Sequence, residues 1–364
     1  MKKIVFLLLI VSFQLIASAA EILKDIQVGG IFFVDNEGYI YTNSDEHSIT
    51  RYSPTGELLS TMGKKGEGPS DIKRLGGFSI NPLDNNIYVT EFYGGNKWIS
   101  KFSTGGKYLG EWNCELDWKK CEGISYIKFD GKGNIYLKTN HSLSGHCKDF
   151  VIGNVEDTIT KFSPHGKKLR EIYHIKTALY VEKGGKGNLT IPFSNSLYYT
   201  VYNDNIIIRE SQDDFVQVFD LEGTLQKKIS LPFRKEKVTQ EDIDTWEKRI
   251  RASAWGKRGM SEGWLDLNYW KTRLPFPDYK PVSGYPLLID SQGNLYNMKY
   301  PGMDDTSIKC ARINLSNGEI TILNFKSGES LLAAWKNYFF IQKEDEDDDY
   351  VILKIEEKEY FSRK

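Results

Sequence analysis

One phrase recurs along this 364-residue chain and restricts its fold to a repeat architecture. It consists of an Asp- or Asn-rich turn, usually with glycine, then Ile-Tyr or an equivalent pair, and later an aromatic residue before a second turn with glycine. The first half of the phrase occupies residues 35–41, 84–89, 130–136, 203–207 and 290–296. The second half occupies residues 52–59, 102–106, 162–166, 219–223 and 313–318. A repeated unit with two hairpin turns is typical of a β-propeller blade.

The first copy shows how the phrase divides into the four strands of a blade, called a to d from the axis outward. We expect strand a at 30–34, b at 39–43, c at 49–53 and d at 57–62, with apolar and polar residues alternating. Glycine permits positive φ at the turns, and Pro54 presets φ in the second turn. Each copy therefore predicts one antiparallel blade.

Successive copies begin near residues 29, 77, 124, 197, 284 and 331, so the chain is predicted to be all-β, a six-bladed β-propeller. The sixth copy lacks the glycine turns but retains three apolar segments, at 331–335, 338–342 and 350–355. A ring with an unpaired outer edge would leave an open sheet. We predict that residues 22–28 supply the missing outer strand, with 359–361 as the alternative. Residues 20–364 then form a single domain.

The N-terminus has the pattern of a secretory signal peptide. Lys2 and Lys3 precede an apolar run over 4–16, and Ala17-Ser18-Ala19 matches the small-residue cleavage site. The run is too short to predict a stable membrane span. We therefore expect residues 1–19 to be removed and the remainder to be exported, to the periplasm or beyond the cell.

Charge gives no reason to expect nucleic acid or an anionic membrane as partner. The formal net charge is −1, and it becomes −3 without residues 1–19, which carry two lysines and no acid. Hydrophobic residues make up 40% of the chain, enough for a sizeable core. Four cysteines in an exported chain favour disulfides. Cys114 and Cys121 bracket a short segment and are the best candidate pair, although four cysteines allow three pairings.

The phrases at 130–136 and 162–166, Asp-x-x-Gly-Asn-Ile-Tyr and Phe-Ser-Pro-x-Gly, resemble those of the NHL-like six-bladed propellers, in their exported bacterial branch. The likeness covers nearly the whole mature chain. The run at 63–69 also resembles a glycine-rich connector of that family, but Ser70-Asp71-Ile72 departs from the residues that usually follow. The resemblance implies a binding scaffold in most cases, and a lyase or lactonase in a minority.

The largest departure from the repeat is an insertion at 234–282, between the fourth and fifth blades. Thr239 followed by acidic residues resembles a helix start, and Ile243, Trp246, Ile250 and Trp255 have a roughly helical spacing. The insertion contains four of the eight tryptophans. They can form a lid that stacks sugars or aromatic groups, or they can simply attach the insertion to the propeller.

Two smaller insertions and one acidic run do not predict a metal or phosphate site. The insertion at 140–158 carries His141, His146 and Cys147, but their spacing matches no compact zinc motif. The glycine-rich insertion at 176–196 lacks the ending of a phosphate loop and is expected to be a flexible connector. The acidic run at 344–349 has Tyr350 where an EF-hand needs glycine, so we expect a solvated hairpin tip, with a looser surface site for a divalent cation as the alternative.

Function is predicted to reside on the face that carries the irregular b–c and d–a loops, since loops free of packing constraints often carry function. The leading hypothesis is a non-enzymatic, exported scaffold that binds a glycan, a peptide or an envelope protein, with no catalytic residue and no required cofactor. The candidate contacts are Trp98, Trp118, Trp246, Arg249, Arg251, Trp255, Trp264 and Trp270.

The rival hypothesis is a metal-assisted lyase or lactonase at the mouth of the central channel. Enzyme signatures are few, because the chain has neither Gly-x-Ser-x-Gly nor His-Glu-x-x-His. Glu91 and Glu210, at the ends of predicted b strands, remain possible ligands or acids, and His47, His141 and His146 are the histidines on the loop-rich side. A structural partner within a surface assembly is a third reading.

Overall fold

The computed structural model is a ring of six antiparallel sheets. It describes residues 20–24, 31–43, 45–91, 99–117, 123–142, 151–182, 188–262, 265–271, 274, 276–300, 307–344 and 349–362. Inner strands of neighbouring blades contact one another around the axis. The core lies between blades, where apolar side chains of one sheet pack against those of the next. The predicted six-bladed β-propeller is therefore confirmed.

The first strand of the described residues precedes the repeats, and the next thirteen strands form the first three blades. These strands are β1 (Ala20–Lys24), β2 (Phe32–Val34), β3 (Ile40–Thr42), β4 (Ile49–Tyr52), β5 (Leu58–Met62), β6 (Leu75–Ile80), β7 (Ile87–Glu91), β8 (Ile99–Phe102), β9 (Tyr108–Trp112), β10 (Gly123–Phe129), β11 (Ile135–Ser142), β12 (Val151–Phe162), β13 (Lys168–Glu182) and β14 (Asn188–Thr190). Blades one and two have four strands each, and blade three has five. The strands of blade one match the predicted positions to within two residues.

The second half contains the remaining three blades. Its strands are β15 (Leu197–Tyr202), β16 (Asn205–Glu210), β17 (Phe215–Asp220), β18 (Leu225–Ser230), β19 (Ser283–Ile289), β20 (Asn294–Lys299), β21 (Ser307–Asn314), β22 (Ile320–Lys326), β23 (Ser330–Trp335), β24 (Tyr338–Glu344) and β25 (Tyr350–Glu356). Blades four and five are regular. Blade six supplies three strands from its own repeat, as predicted.

The ring is closed by the strand that precedes the first repeat. β1 pairs antiparallel with β25 and becomes the outer strand of blade six. Leu23 is buried there beside Trp335 and Ile352. The prediction that this N-terminal segment completes the last blade is confirmed, although the strand is Ala20–Lys24. The alternative segment, 359–361, lies in a helix, Glu357–Ser362.

The recurring Asp and Tyr of the sequence phrase form one hydrogen-bonded unit in blades one, two, three and five. In blade three, Asp130 accepts hydrogen bonds from the backbone N–H groups of Lys132 and Asn134, each at 2.9 Å. Its second oxygen accepts the Tyr136 hydroxyl at 3.2 Å. Blade five repeats this arrangement with Asp290 and Tyr296. The repeat therefore persists because the carboxylate caps the a–b turn and also satisfies a buried tyrosine.

The repeated glycine of the c–d turn has a second role besides its backbone conformation. Gly56 has a φ of +88°, and a Cβ built on it would overlap the carbonyl oxygen of Ile22 in β1. Gly166 has a φ of +85°, and a Cβ built on it would overlap the carbonyl oxygen of Asn113, which follows the outer strand of blade two. Each of these turns thus packs directly against the outer edge of the preceding blade.

Blade three differs most from the sequence prediction. The described parts of the segment expected as an irregular insertion, 140–142 and 151–158, lengthen β11 and β12, which pair from Ile135 to Ser142. In the expected flexible connector, 176–196, residues 176–182 belong to β13 and 188–190 form β14, which pairs back on β13. The extension follows from pairing between segments distant in sequence, since β13 pairs with β12 along its length and β14 pairs with the end of β13.

The insertion between blades four and five is partly helical, as predicted. Its helices are α1 (Gln240–Ala252), α2 (Ala254–Ser261) and α3 (Leu267–Lys271), and the chain ends with α4 (Glu357–Ser362). Thr239 is the N-cap of α1 and forms a reciprocal capping box with Asp242. An ion pair of 3.3 Å between Lys299 and Glu236 ties the insertion to blade five.

Candidate functional site

A cavity of about 90 Å³ lies on the ring axis, between the inner strands of five blades. Its walls are mainly aliphatic and aromatic side chains, with the tyrosines contributed by blades three and four. Among the described residues that line it, Lys128 is the one charged group. The described lining residues are Ile31, Phe32, Phe33, Gly77, Phe78, Tyr126, Ile127, Lys128, Tyr198, Tyr199, Leu287 and Leu288.

Lys128 lies on β10, directly opposite Tyr136 of β11. Within the described residues its amine has no hydrogen-bond acceptor and no carboxylate partner. Burial lowers the pKa of Lys128 below the ordinary value for lysine. A half-buried lysine that faces an apolar cavity has lost part of its hydration, and no described residue supplies a counter-charge, so an entering anion would provide a favourable interaction.

Two further cations stand behind the tyrosines of the cavity wall. Lys138 is the cross-strand neighbour of Tyr126, and Arg209 is the cross-strand neighbour of Tyr198. The Lys138 amine lies 5.6 Å from the Tyr126 ring centre, and the Arg209 guanidinium lies 4.4 Å from that of Tyr198. These are cation–π distances. Blades three and four thus present equivalent Tyr–cation pairs beside the axis.

The two cations differ in how their charge is balanced. The Lys138 amine lies 2.7 Å from the Asp157 carboxylate and donates to the carbonyl oxygen of Leu197 at 2.9 Å. Asp157 is buried, and Asn140 links it to Ser125 through hydrogen bonds. Lys138 is therefore one part of a complete ion-pair network.

Arg209 is fully buried and has only neutral partners. It donates to the side-chain oxygen of Asn297 at 2.5 Å and to the carbonyl oxygen of Gly284 at 2.7 Å. Burial lowers the pKa of the Arg209 guanidinium to about 10. Within the described residues no carboxylate balances this charge.

Among the tryptophans predicted to contact a ligand, the structure describes the side chain of Trp246 alone. Trp246 is buried on α1 against Phe276, Leu265 and Ile191, so it attaches the insertion to the segment between blades three and four. Trp98, Trp118 and Trp264 lie outside the described residues. Trp255 is on α2 and Trp270 on α3, with side chains that the structure does not describe. Their role in binding a ligand stays a prediction.

The two predicted arginines of α1 lie in different settings. Arg251 pairs with Glu247 through hydrogen bonds of 2.8 and 2.7 Å and also reaches Asn268. Burial raises the pKa of Tyr300, and the nearby charge of Arg249 opposes that shift. Arg249 therefore lies near the end of β20, where the insertion meets blade five. Neither observation tests a ligand contact.

The disulfide prediction gains no support. Cys121 and Cys147 lie outside the described residues, and no bond joins the two cysteines inside them, Cys114 and Cys310. Cys310 is a buried thiol on β21, and burial raises its pKa to about 12.

The carboxylates and histidines considered for a metal make other contacts wherever they lie within the described residues. Glu210 accepts the Tyr173 hydroxyl and the Asn195 amide, both at 2.6 Å. His47 lies 3.2 Å from the carbonyl oxygen of Ile72. His146 is outside the described residues. Across the described part of the chain, no three His, Cys, Asp or Glu side chains come together in a possible metal site.

Lys128 was not among the residues predicted from the sequence. Aligning the copies on their turn residues, Asp35, Asn81 and Asp130, would have singled it out. Two residues before the turn, blades one and two carry Phe33 and Ser79, whereas blade three carries a lysine. A charged residue on a predicted inner strand is therefore the signal that the sequence offers for this site.

Comparison with solved structures supports the fold alone. A predicted exported protein from Bacteroides fragilis NCTC 9343 aligns at 10% identity with a TM-score of 0.54, over 93% of each chain. A DUF4221-family member from Bacteroides vulgatus ATCC 8482 aligns at 10% identity and 0.54, over 92% of this chain and 94% of the other. A gluconolactonase from Xanthomonas campestris aligns at 8% and 0.47, over 92% of each chain, which is too distant to bear on activity.

No family model matches the chain, and no curated protein matches it in sequence. The likeness to the NHL-like propellers therefore stays a resemblance. None of the helices in the described ranges has the length and apolar character needed to cross a membrane.

Proposed function

We propose that this protein is an exported, non-enzymatic β-propeller that binds a ligand whose small anionic end enters the axial cavity. The observation that carries the proposal is the Lys128 amine, which has no partner among the described residues and is the one charge among the described residues of the cavity wall. An unpaired buried charge is costly, and function is a common reason for retaining one. Export is supported by the signal-peptide pattern of residues 1–19 and by the name of the Bacteroides fragilis structure.

Size and lining restrict the chemistry of the ligand. A cavity of about 90 Å³ is smaller than the roughly 150 Å³ that holds benzene, so it accepts a group of a few heavy atoms. Aromatic walls favour a ligand in which the anionic group is attached to an apolar or planar group. A carboxylate on a slim aliphatic or aromatic body fits these requirements best.

Binding is tested by thermal unfolding with and without small carboxylates, such as butyrate and benzoate, at equal ionic strength. A carboxylate that binds only the folded state raises the melting temperature. At one hundred times its Kd it adds about 2.7 kcal/mol to the free energy of unfolding. The corresponding neutral amides should have no effect, since they lack the charge that Lys128 attracts.

The matched variants are Lys128→Met and Lys132→Met, because Lys132 is exposed on the turn of the same hairpin. We expect Lys128→Met to abolish the carboxylate effect and Lys132→Met to preserve it. A carboxylate response that survives Lys128→Met would exclude the axial site. A stoichiometric divalent metal in the purified protein, together with hydrolysis of a lactone, would favour the enzymatic alternative instead.

A further inference from the structure

The seam between blades four and five holds a group of buried polar atoms that the axial site does not use. Three of them have no hydrogen-bond partner among the described residues: Nε of Arg209, Nδ2 of Asn297 and Oγ of Ser283. They belong to one contact network, because Arg209 bonds to Asn297 and to the carbonyl of Gly284, the residue after Ser283. All three residues are completely buried.

The unsatisfied atoms share one chemical character. The guanidinium Nε–H and the amide N–H are donors only, and a serine hydroxyl can donate. The nearby thiol of Cys310 is neutral at physiological pH, since burial raises its pKa to about 12. The seam therefore contains a full positive charge and three unused donors, with no anion among the described residues.

Blade three shows what completes the same arrangement. Lys138 and Arg209 both lie on a b strand opposite an inner-strand tyrosine, and both donate to a carbonyl at the start of the next blade. Lys138 has the additional Asp157 carboxylate, supplied by the long strand β12. In blade four the c strand starts only at Phe215, and the preceding Asp214 is exposed.

We propose that a small monovalent anion of the size of chloride binds between Arg209, Asn297 and Ser283 and takes the place of the missing carboxylate. The anion accepts hydrogen bonds from the three orphaned donors and neutralises the guanidinium. Such an ion is a structural part of the blade seam and is distinct from the ligand of the axial cavity. An ordered water would satisfy some donors but would leave the charge unbalanced.

The direct experiment is a crystal structure of the full mature chain grown in bromide. We expect an anomalous bromide peak within hydrogen-bonding distance of Arg209 Nε. A site filled by water, with no anomalous signal at saturating bromide, would overturn the proposal.

A solution experiment separates the ion from general salt effects. The melting temperature should rise with chloride in a titration against sodium gluconate at constant ionic strength. Ser283→Ala removes one donor and should increase the half-saturating chloride concentration about tenfold. Ser100→Ala is the control, because the Ser100 hydroxyl is also buried without a partner but lies in blade two. Equal melting temperatures of the wild-type protein in both salts would contradict the proposal.

Discussion

At the scale of single residues, Lys128 illustrates a conflict between stability and binding. Its side chain is half-buried and its amine has no counter-charge among the described residues. Replacing an unfavourable buried charge by an apolar side chain of similar length often stabilises a protein. Lys128→Met should therefore raise the free energy of unfolding at pH 7 by about 1 to 2 kcal/mol, measured by urea denaturation.

The pH dependence of this gain follows from the lowered pKa of Lys128. Between the folded-state pKa and the unfolded value near 10.5, the unfolded chain binds more protons, so the wild-type protein becomes more stable as pH rises through that window. The advantage of Lys128→Met should accordingly be greatest below the folded-state pKa of Lys128 and shrink as the pH rises from that pKa toward 10.5. A variant less stable than wild type at pH 7 would mean that the amine makes a favourable contact.

The tryptophans of the insertion and Lys128 also differ in how well the sequence could identify them as candidate site residues. Tryptophans in an irregular insertion are conspicuous, and Trp246 was correctly placed in a helix, but its side chain is buried against Phe276. Lys128 lies within a regular repeat, where a single lysine attracts no notice. Its importance depends on five strands that meet at the axis, and no local pattern shows that meeting.

At the scale of the element, the a–b hairpin depends on the shared carboxylate of Asp130. Asp130→Ala exposes two turn N–H groups and leaves the buried Tyr136 hydroxyl without its acceptor. We expect a loss of about 2 to 3 kcal/mol in urea unfolding, and about 1 kcal/mol for Tyr136→Phe.

The double variant, Asp130→Ala with Tyr136→Phe, tests whether the two side chains stabilise the hairpin through one shared hydrogen bond. Once Asp130 is absent, Tyr136→Phe removes an already unpaired hydroxyl, so its further cost should vanish or become a small gain. Strictly additive losses would show that the carboxylate and the tyrosine act independently.

Elements that obey the repeat could be predicted, and elements that extend it could not. The turn chemistry of blade one and the capping box at Thr239 are local signals, because each depends on residues three or four apart. In blade three, β12 and β13 continue well past the usual strand length. A strand and an irregular loop of similar composition are distinguished there by pairing between distant segments, which short-range patterns do not encode.

At the scale of the whole molecule, closure of the ring rests on the five residues of β1 and on the turn that packs against it. Sequence could predict this closure because a propeller leaves no open edge, and the segment before the first repeat was the preferred partner for the outer edge of blade six. The contact between Gly56 and Ile22 was not foreseeable, since it joins blade one to the outer strand of blade six and forms only when the ring closes.

Gly56 and Gly318 give a matched test of how much this contact contributes. Both are c–d turn glycines, with φ of +88° and +78°, but a Cβ on Gly318 meets nothing within 4 Å. Alanine at either position costs about 1 kcal/mol of backbone strain. Gly56→Ala must also displace the backbone of β1, so we expect it to lose a further 1 to 3 kcal/mol, roughly the cost of overpacking a core.

The measurement is urea unfolding of the two variants, with size-exclusion chromatography to detect association. If β1 is displaced, the exposed edge of β25 becomes available for pairing with another chain, so Gly56→Ala should also associate at high concentration. Gly318→Ala should remain as monodisperse as the wild-type protein. Equal stability and equal association of the two variants would show that the ring tolerates displacement of its closing strand.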